Sequence, residues 1–268
     1  MKSHRIACLT LSFLLLPLLI TSANADSITL GTAGGYAVLA GSAVTNTGSS
    51  ILIGDMGVSA GCAISGFPPG SVSGSTNACN AAAAQAKKDL LTAYNAAFNM
   101  TPTATLTGKN LGGMILTPGV YFFASSAQLT GTLTLNDLGN PNAVFVFQIG
   151  STLTTASSSA VIFSSSLDKN VFWQVGSSAT LGSGTQFEGN ILANTSITLD
   201  SSASIGCGSA LALNGAVTLN NNSIGGGCGS SRSTVPEPAT MGLLGTGLLA
   251  IAGVARRRMR ICRNRCGH

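Results

Sequence analysis

Short runs in the second half of the chain set one hydroxyl residue between two apolar ones, and they recur. Ala179-Thr180-Leu181, Ile197-Thr198-Leu199 and Val217-Thr218-Leu219 are spaced by 18 and then 20 residues at their threonines. A second apolar residue follows each run, at Phe187, Ile205 and Ile224. Thr132-Leu133 and Thr152-Leu153 add two more Thr-Leu pairs, again 20 apart. Alternation at period two marks a strand with one buried side. A strand motif repeating at so short a period cannot bury its apolar edge alone. The repeats must stack, as coils of a β-solenoid. Apolar residues then point inward, and the residues between them stand outward in files at about the strand spacing of 4.7–4.9 Å.

The outward set predicted by this alternation is Thr132, Thr152, Thr180, Thr198 and Thr218, with Ser178 and Ser196 beside them. A second flat face would carry Gln174, Leu192 and Ala212, and is more apolar. Strong strand signals precede the repeats at 120–123, 143–147 and 171–175, rich in β-branched and aromatic residues. Residues 28–74 hold shorter alternating runs, such as Tyr36-Ala37-Val38-Leu39, between turn signals that include Gly66-Phe67-Pro68-Pro69-Gly70. The gap from Thr152 to Thr180 leaves room for an inserted loop at 164–170.

One stretch breaks the β pattern. Residues 77–100 are alanine-rich and contain no Gly or Pro, with Leu90, Tyr94, Ala97 and Phe98 as an apolar stripe and Pro102 beyond. A helix of that length is about 35 Å long, roughly seven coil spacings. It fits along the solenoid axis, covering one face. Two lysines, Lys87 and Lys88, do not make the basic face of a membrane-surface helix.

The termini differ from the middle. Lys2 and Arg5, an apolar stretch from Ile6 to Ile20, and Ala23-Asn24-Ala25 read as a secretory signal over residues 1–25, with cleavage before Asp26. At the other end, Val235-Pro236-Glu237-Pro238 is followed by an apolar run at 239–255 and then by Arg256, Arg257 and Arg258. That run is at the short end for a membrane span, and the arginines would hold its far side in the cytoplasm. The order of motif, span and basic cluster resembles the PEP-CTERM sorting signal of Gram-negative bacteria. The resemblance implies a membrane-inserted precursor, recognition by the membrane protease exosortase, and delivery to the cell surface or medium. A plain C-terminal anchor is the competing reading. The chain thus divides into a signal peptide at 1–25, a solenoid domain at 26–230 and a sorting segment at 231–268.

Charge follows the same division. The whole chain carries +5, but from Asp26 to Thr234 five basic residues face seven acidic ones. The domain is close to neutral, so the basic balance is no footprint for nucleic acid. Four cysteines fall in the domain: Cys62, Cys79, Cys207 and Cys228. An even number in an exported chain favours disulfides. Three pairings are possible, and Cys62–Cys79 with Cys207–Cys228 each close a short local loop. A zinc site would need a CxxC or a nearby histidine. The histidines, His4 and His268, lie at the extreme ends. Their position removes Ser-His-Asp and Cys-His catalysis from the domain. The acids are scattered, with Asp168, Glu188 and Asp200 the only set that could stack on neighbouring coils. Asp55 reads as a turn residue bonding its own backbone. No enzyme, cofactor or metal is expected.

Residues 28–48, Gly54-Asp55-Met56-Gly57-Val58-Ser59, Leu116-Thr117-Pro118-Gly119-Val120-Tyr121, 171–175, 187–193 and 210–219 together resemble the ice-binding-like family of microbial antifreeze proteins. The resemblance spans nearly all of 28–224. It implies an irregular, right-handed-type β-solenoid of triangular section with one long helix packed alongside, and an ice crystal as partner. Some members carry a Thr-Ala/Gly-x-Thr/Asn motif on the ice-contacting face. Here Thr107-Gly108-Lys109-Asn110 matches and Thr155-Ala156-Ser157-Ser158 nearly does. Hydroxyl and methyl together on a flat face suit ice, and strand spacing is close to a repeat of its lattice. The alternative is a structural or adhesive matrix protein binding exopolysaccharide through the same Thr/Asn-rich face.

Overall fold

The computed structural model describes residues 28–140, 142–164 and 170–225. The signal peptide, the loop at 165–169, Cys228 and the sorting segment lie outside the described residues. Within them the chain winds through three parallel sheets of nine, seven and eight strands. We call these sheets A, B and C, in the order each coil visits them. One coil, for example, runs Asn190–Ala193 on A, Ile197–Leu199 on B and Ser204–Ile205 on C.

The coils do not stack in sequence order. The strand Tyr36–Ala40 pairs on one side with Asp55–Val58 and on the other with Ala210–Ala212. The N-terminal coils are therefore stacked onto the last C-terminal coil. A crossover is needed to make this possible, and the helix Ala81–Asn99 supplies it. It leaves the strand Thr76–Ala78 at one edge of sheet A and delivers the chain to Ala104–Thr105 at the other. Eight strand spacings are about 38 Å. Nineteen helical residues supply about 28 Å, and the flanking residues span the rest.

The sequence explains each part locally. Asn80 caps the helix, its side chain accepting a hydrogen bond from the Ala83 N–H. Ala83, Ala86, Leu90, Ala93 and Ala97 form the buried stripe at the three-and-four spacing of one helix face. Four of the five are alanine, which lets the helix lie close against sheet A. Phe98, predicted on the buried stripe, is instead 59% exposed. The helix begins four residues later than expected because 76–78 is still strand.

Strands of sheet A, such as Asn170–Val175, are buried along almost their whole length. One side faces the solenoid interior and the other faces the helix, as in parallel sheets covered on both faces. The interior holds an aromatic stack, with Phe147 and Trp173 at 3.8 Å between ring centroids and Tyr121 and Phe187 on either side. Sheet B strands alternate instead: Leu153 and Thr155 are buried while Thr154 is exposed. Cys62 and Cys79 are disulfide-bonded. Cys207 is disulfide-bonded as well.

Candidate functional site

Among the described residues, the helix covers the outer face of the central strands of sheet A. Leu39, Val146, Phe172, Leu192 and Leu211 pack with the helix as a second apolar cluster. Gln148 donates through Nε2 to the carbonyls of Ala97, Phe98 and Met100, holding the C-terminal end of the helix down. The Asp89 carboxylate accepts hydrogen bonds from the Thr32 hydroxyl and backbone N–H, and these hold it below its usual range. The second flat face predicted through Gln174, Leu192 and Ala212 is therefore not a surface. Gln174 and Leu192 lie beneath the helix, and Ala212 faces the interior. Alternation alone says only that Leu192 points away from the core, not what covers it.

Sheet B is open, and its register brings one file of side chains together. Gln128, Thr154, Thr180, Thr198, Thr218, Thr45 and Ser65 are successive partners along it. Asn110 bridges to Gln128 at one end. Five consecutive threonines thus stand in line over about 19 Å. The Thr45 and Thr218 hydroxyls are 3.3 Å apart. Two residues earlier in each strand runs a companion file of Thr152, Ser178, Ser196, Ala216, Ala43 and Ala63. Neither file contains a charged residue. Threonine is branched at Cβ and stiff at χ1, so the methyls and hydroxyls are held in place before any ligand arrives.

Of the predicted residues, Thr180, Thr198 and Thr218 share the main file, and Thr152, Ser178 and Ser196 share its companion. Thr132 does not belong with them. It lies on sheet C, paired with Ala160. The 20-residue spacing between Thr132 and Thr152 is a coincidence, because Thr154 is the sheet B partner of Gln128. Sequence reasoning missed Thr154 and Thr45. Thr154 was hidden in the run Thr152-Leu153-Thr154-Thr155, where the Thr-Leu pair drew attention to Thr152. Thr45 belongs to the first coil, which joins the file only through the out-of-order stacking. A signal existed: Ala43-Val44-Thr45 repeats Ala216-Val217-Thr218. In the near-motif at 155–158 only Thr155 turns inward, its hydroxyl buried against that of Thr185 at 2.8 Å, while Ala156, Ser157 and Ser158 are exposed in the turn that follows.

The acids are kept apart. Glu188 sits on the edge between sheets C and A, accepting from the Cys207 N–H. Burial pushes its carboxyl above the usual carboxylate range, and the Cys207 hydrogen bond opposes that rise. Asp200 follows the sheet B strand Ile197–Leu199 and lies on the B–C edge. Asp168 is outside the described residues. Asp55 bonds not its own turn but the backbone N–H of Ser75, one coil away. A cleft of about 350 Å³ beside the helix is lined by Ser59, Lys87, Lys88, Leu91, Asn194 and Asn214 among others, with no acid. Among the described residues, no three His, Cys, Asp or Glu side chains gather to hold a metal.

A triangular solenoid with one face sealed by a helix and another presenting a flat, uncharged, hydroxyl-rich lattice is a surface-adsorbing protein in form. The chain belongs to the ice-binding-like family, whose model matches residues 38–225. The PEP-CTERM protein-sorting motif matches residues 234–258. The chain is 53% identical over 245 residues to an ice-binding protein of Nostoc sp. (strain HG1), covering 90% of this chain and 91% of the relative. Two crystal structures share the fold. One, of an ice binding protein from an Antarctic biological consortium, has a TM-score of 0.70 at 46% identity, covering 74% of this chain and 90% of its own. The other, of an ice-binding protein from the Antarctic ascomycete Antarctomyces psychrotrophicus, has a TM-score of 0.71 at 38% identity, covering 75% and 99%.

Proposed function

We propose that this chain is an exported ice-binding protein that adsorbs to ice through sheet B and so blocks growth or recrystallisation. The observation that carries the reading is the unbroken file Thr154-Thr180-Thr198-Thr218-Thr45 on an uncovered sheet. Each threonine offers one methyl, which favours ordered water, and one hydroxyl, which hydrogen-bonds into that layer. Single contacts of this kind are weak. They add only if all of them meet the lattice together, which needs coplanar, evenly spaced, pre-positioned groups. Parallel stacking in register supplies the spacing, and χ1 stiffness keeps the entropic cost of adsorption low. The absence of charge from both files matters because a bound counter-ion shell would hold the face away from the crystal.

The PEP-CTERM match at 234–258 supports export to the surface or medium. The finer route is a signal peptide removed before Asp26, transient membrane insertion through 239–255, and exosortase cleavage near Pro236-Glu237-Pro238. Domain bounds of 26–230 and 231–268 follow from it. Nothing in the site calls for catalysis, and adsorption involves none.

Recrystallisation of a polycrystalline ice film in the presence of the purified exported protein tests the reading. Slowed grain growth and faceted single crystals are expected. Unaltered grain growth, together with co-sedimentation with exopolysaccharide, would replace the ice reading by the matrix one.

A further inference from the structure

The outer face of sheet B is wider than its two files. The ladder runs one residue past the strands: the backbone N–H groups of Ala156, Gly182 and Asp200 donate to the carbonyls of Leu129, Thr155 and Leu181 at 2.9, 3.2 and 2.9 Å. The residue two beyond each threonine therefore stands in a third outward file, about 6.6 Å along the strand toward sheet C. Leu181 is in register with Leu199, Thr198 with Thr218, and Asn220 with Thr47. The third file thus runs Ala156, Gly182, Asp200, Asn220 and Thr47, and Asp200 is its one charged residue. It sits in the middle coil, directly beside Thr198.

The fold holds Asp200 in that place. Its carbonyl accepts from the Ala203 N–H at 3.1 Å and from Nδ2 of Asn222 at 2.8 Å. Asn222 is buried and donates as well to the Ala203 carbonyl. With its own N–H bonded to Leu181, the Asp200 backbone is pinned on both sides, so the side chain stays at the border of the threonine plane. Among the described residues, its carboxylate makes no hydrogen bond or ion pair, and water serves its oxygens. An ionised carboxylate holds that water strongly, and removing or reordering it is costly unless a cation takes its place. Ice offers none.

We propose that Asp200 limits the ice-contacting plane to two files and holds adsorption below what the threonine file allows. This rests on the reading of sheet B as the ice face. Replacing the charge would join Asn220 and Thr47 on one side and Gly182 and Ala156 on the other into a third neutral file, widening the plane without new backbone geometry.

The test measures how much purified exported protein halves grain growth in a polycrystalline ice film. Asp200→Asn keeps the shape and removes the charge, and Asp200→Thr extends the threonine chemistry. Both should lower the required concentration by about threefold or more, as removal of a desolvation cost at a binding border predicts. Asp55→Asn removes the same charge at the start of the sheet A strand Asp55–Val58, far from sheet B, and should change nothing. Melting temperatures confirm that each variant is folded, and either Asp200 variant alone decides the question. An unchanged or weakened effect from a folded Asp200 variant, while Thr198→Tyr abolishes activity, overturns the border role and leaves the ice reading standing. An equal gain from Asp55→Asn makes the effect one of net charge and overturns it too. Full activity in Thr198→Tyr, or none in the parent, removes both readings.

Discussion

Sheets A and B are built from the same coils, yet one became core and the other surface. Both carry an outward residue at every second position. On sheet A those residues are Leu39, Val146, Phe172, Leu192 and Leu211, and the alanine stripe of the helix lies on them. On sheet B they are threonine, serine and alanine, and nothing among the described residues covers them. Outward direction on a solenoid is therefore not exposure. Side-chain chemistry decides which face recruits a cover: leucine and phenylalanine gain about 25 cal/mol per Å² on burial, whereas a threonine hydroxyl would need a partner beneath a helix.

Altering one side chain on each sheet separates the two roles. Thr198→Tyr, at the centre of the five-threonine file, should remove most ice activity while thermal unfolding stays nearly unchanged. A ring there lifts the plane off the lattice over neighbouring coils but buries nothing. Full activity in this variant would move the ice face elsewhere. Leu192→Ala, fully buried beneath the helix, should cost about 2–5 kcal/mol in denaturant unfolding, with activity per folded molecule retained. Equal loss of activity from both variants, each still folded, would mean that the two faces are not functionally distinct.

Smaller changes sharpen the picture of the cover. Gln148→Ala leaves three carbonyls at the end of the helix without their donor. It should lower stability by about 1–3 kcal/mol, and hydrogen exchange should quicken in the last helical turn rather than on sheet B. Glu188 gives the mildest effect. Its folded pKa is raised above the ordinary 4.5 by burial, so the folded state holds the proton more tightly than the unfolded chain. The cost of the buried charge is present at neutral pH and disappears as pH falls below the unfolded value. Glu188→Gln should remove that part of the pH dependence, and melting temperatures of variant and parent should converge on acidification. A gap that stays constant with pH would show that the carboxyl acts only through its hydrogen bond to Cys207.

Much of this molecule was legible in the order of its residues. The alternation at 179–181, 197–199 and 217–219 states a strand with one apolar side, and its short period states stacking. The alanine-rich stretch at 77–100 states a helix, because local propensity needs no tertiary partner, though its start at Ala81 and the Asn80 cap appear only in the fold. The local loop between Cys62 and Cys79 predicted a bond that the fold contains. What the sequence could not state was which coil lies beside which. Thr45 meets Thr218 across 173 residues, and Thr132 leaves the file that its spacing proposed. The first follows from the helical crossover that stacks the first coils onto the last, and the second from Thr132 falling on sheet C while Gln128 takes the sheet B position of its coil. Neighbours along the chain are set by local rules, whereas neighbours across the sheets are set by which edges and faces can be buried together. Only the folded stack decided that, and with it which threonines form one plane.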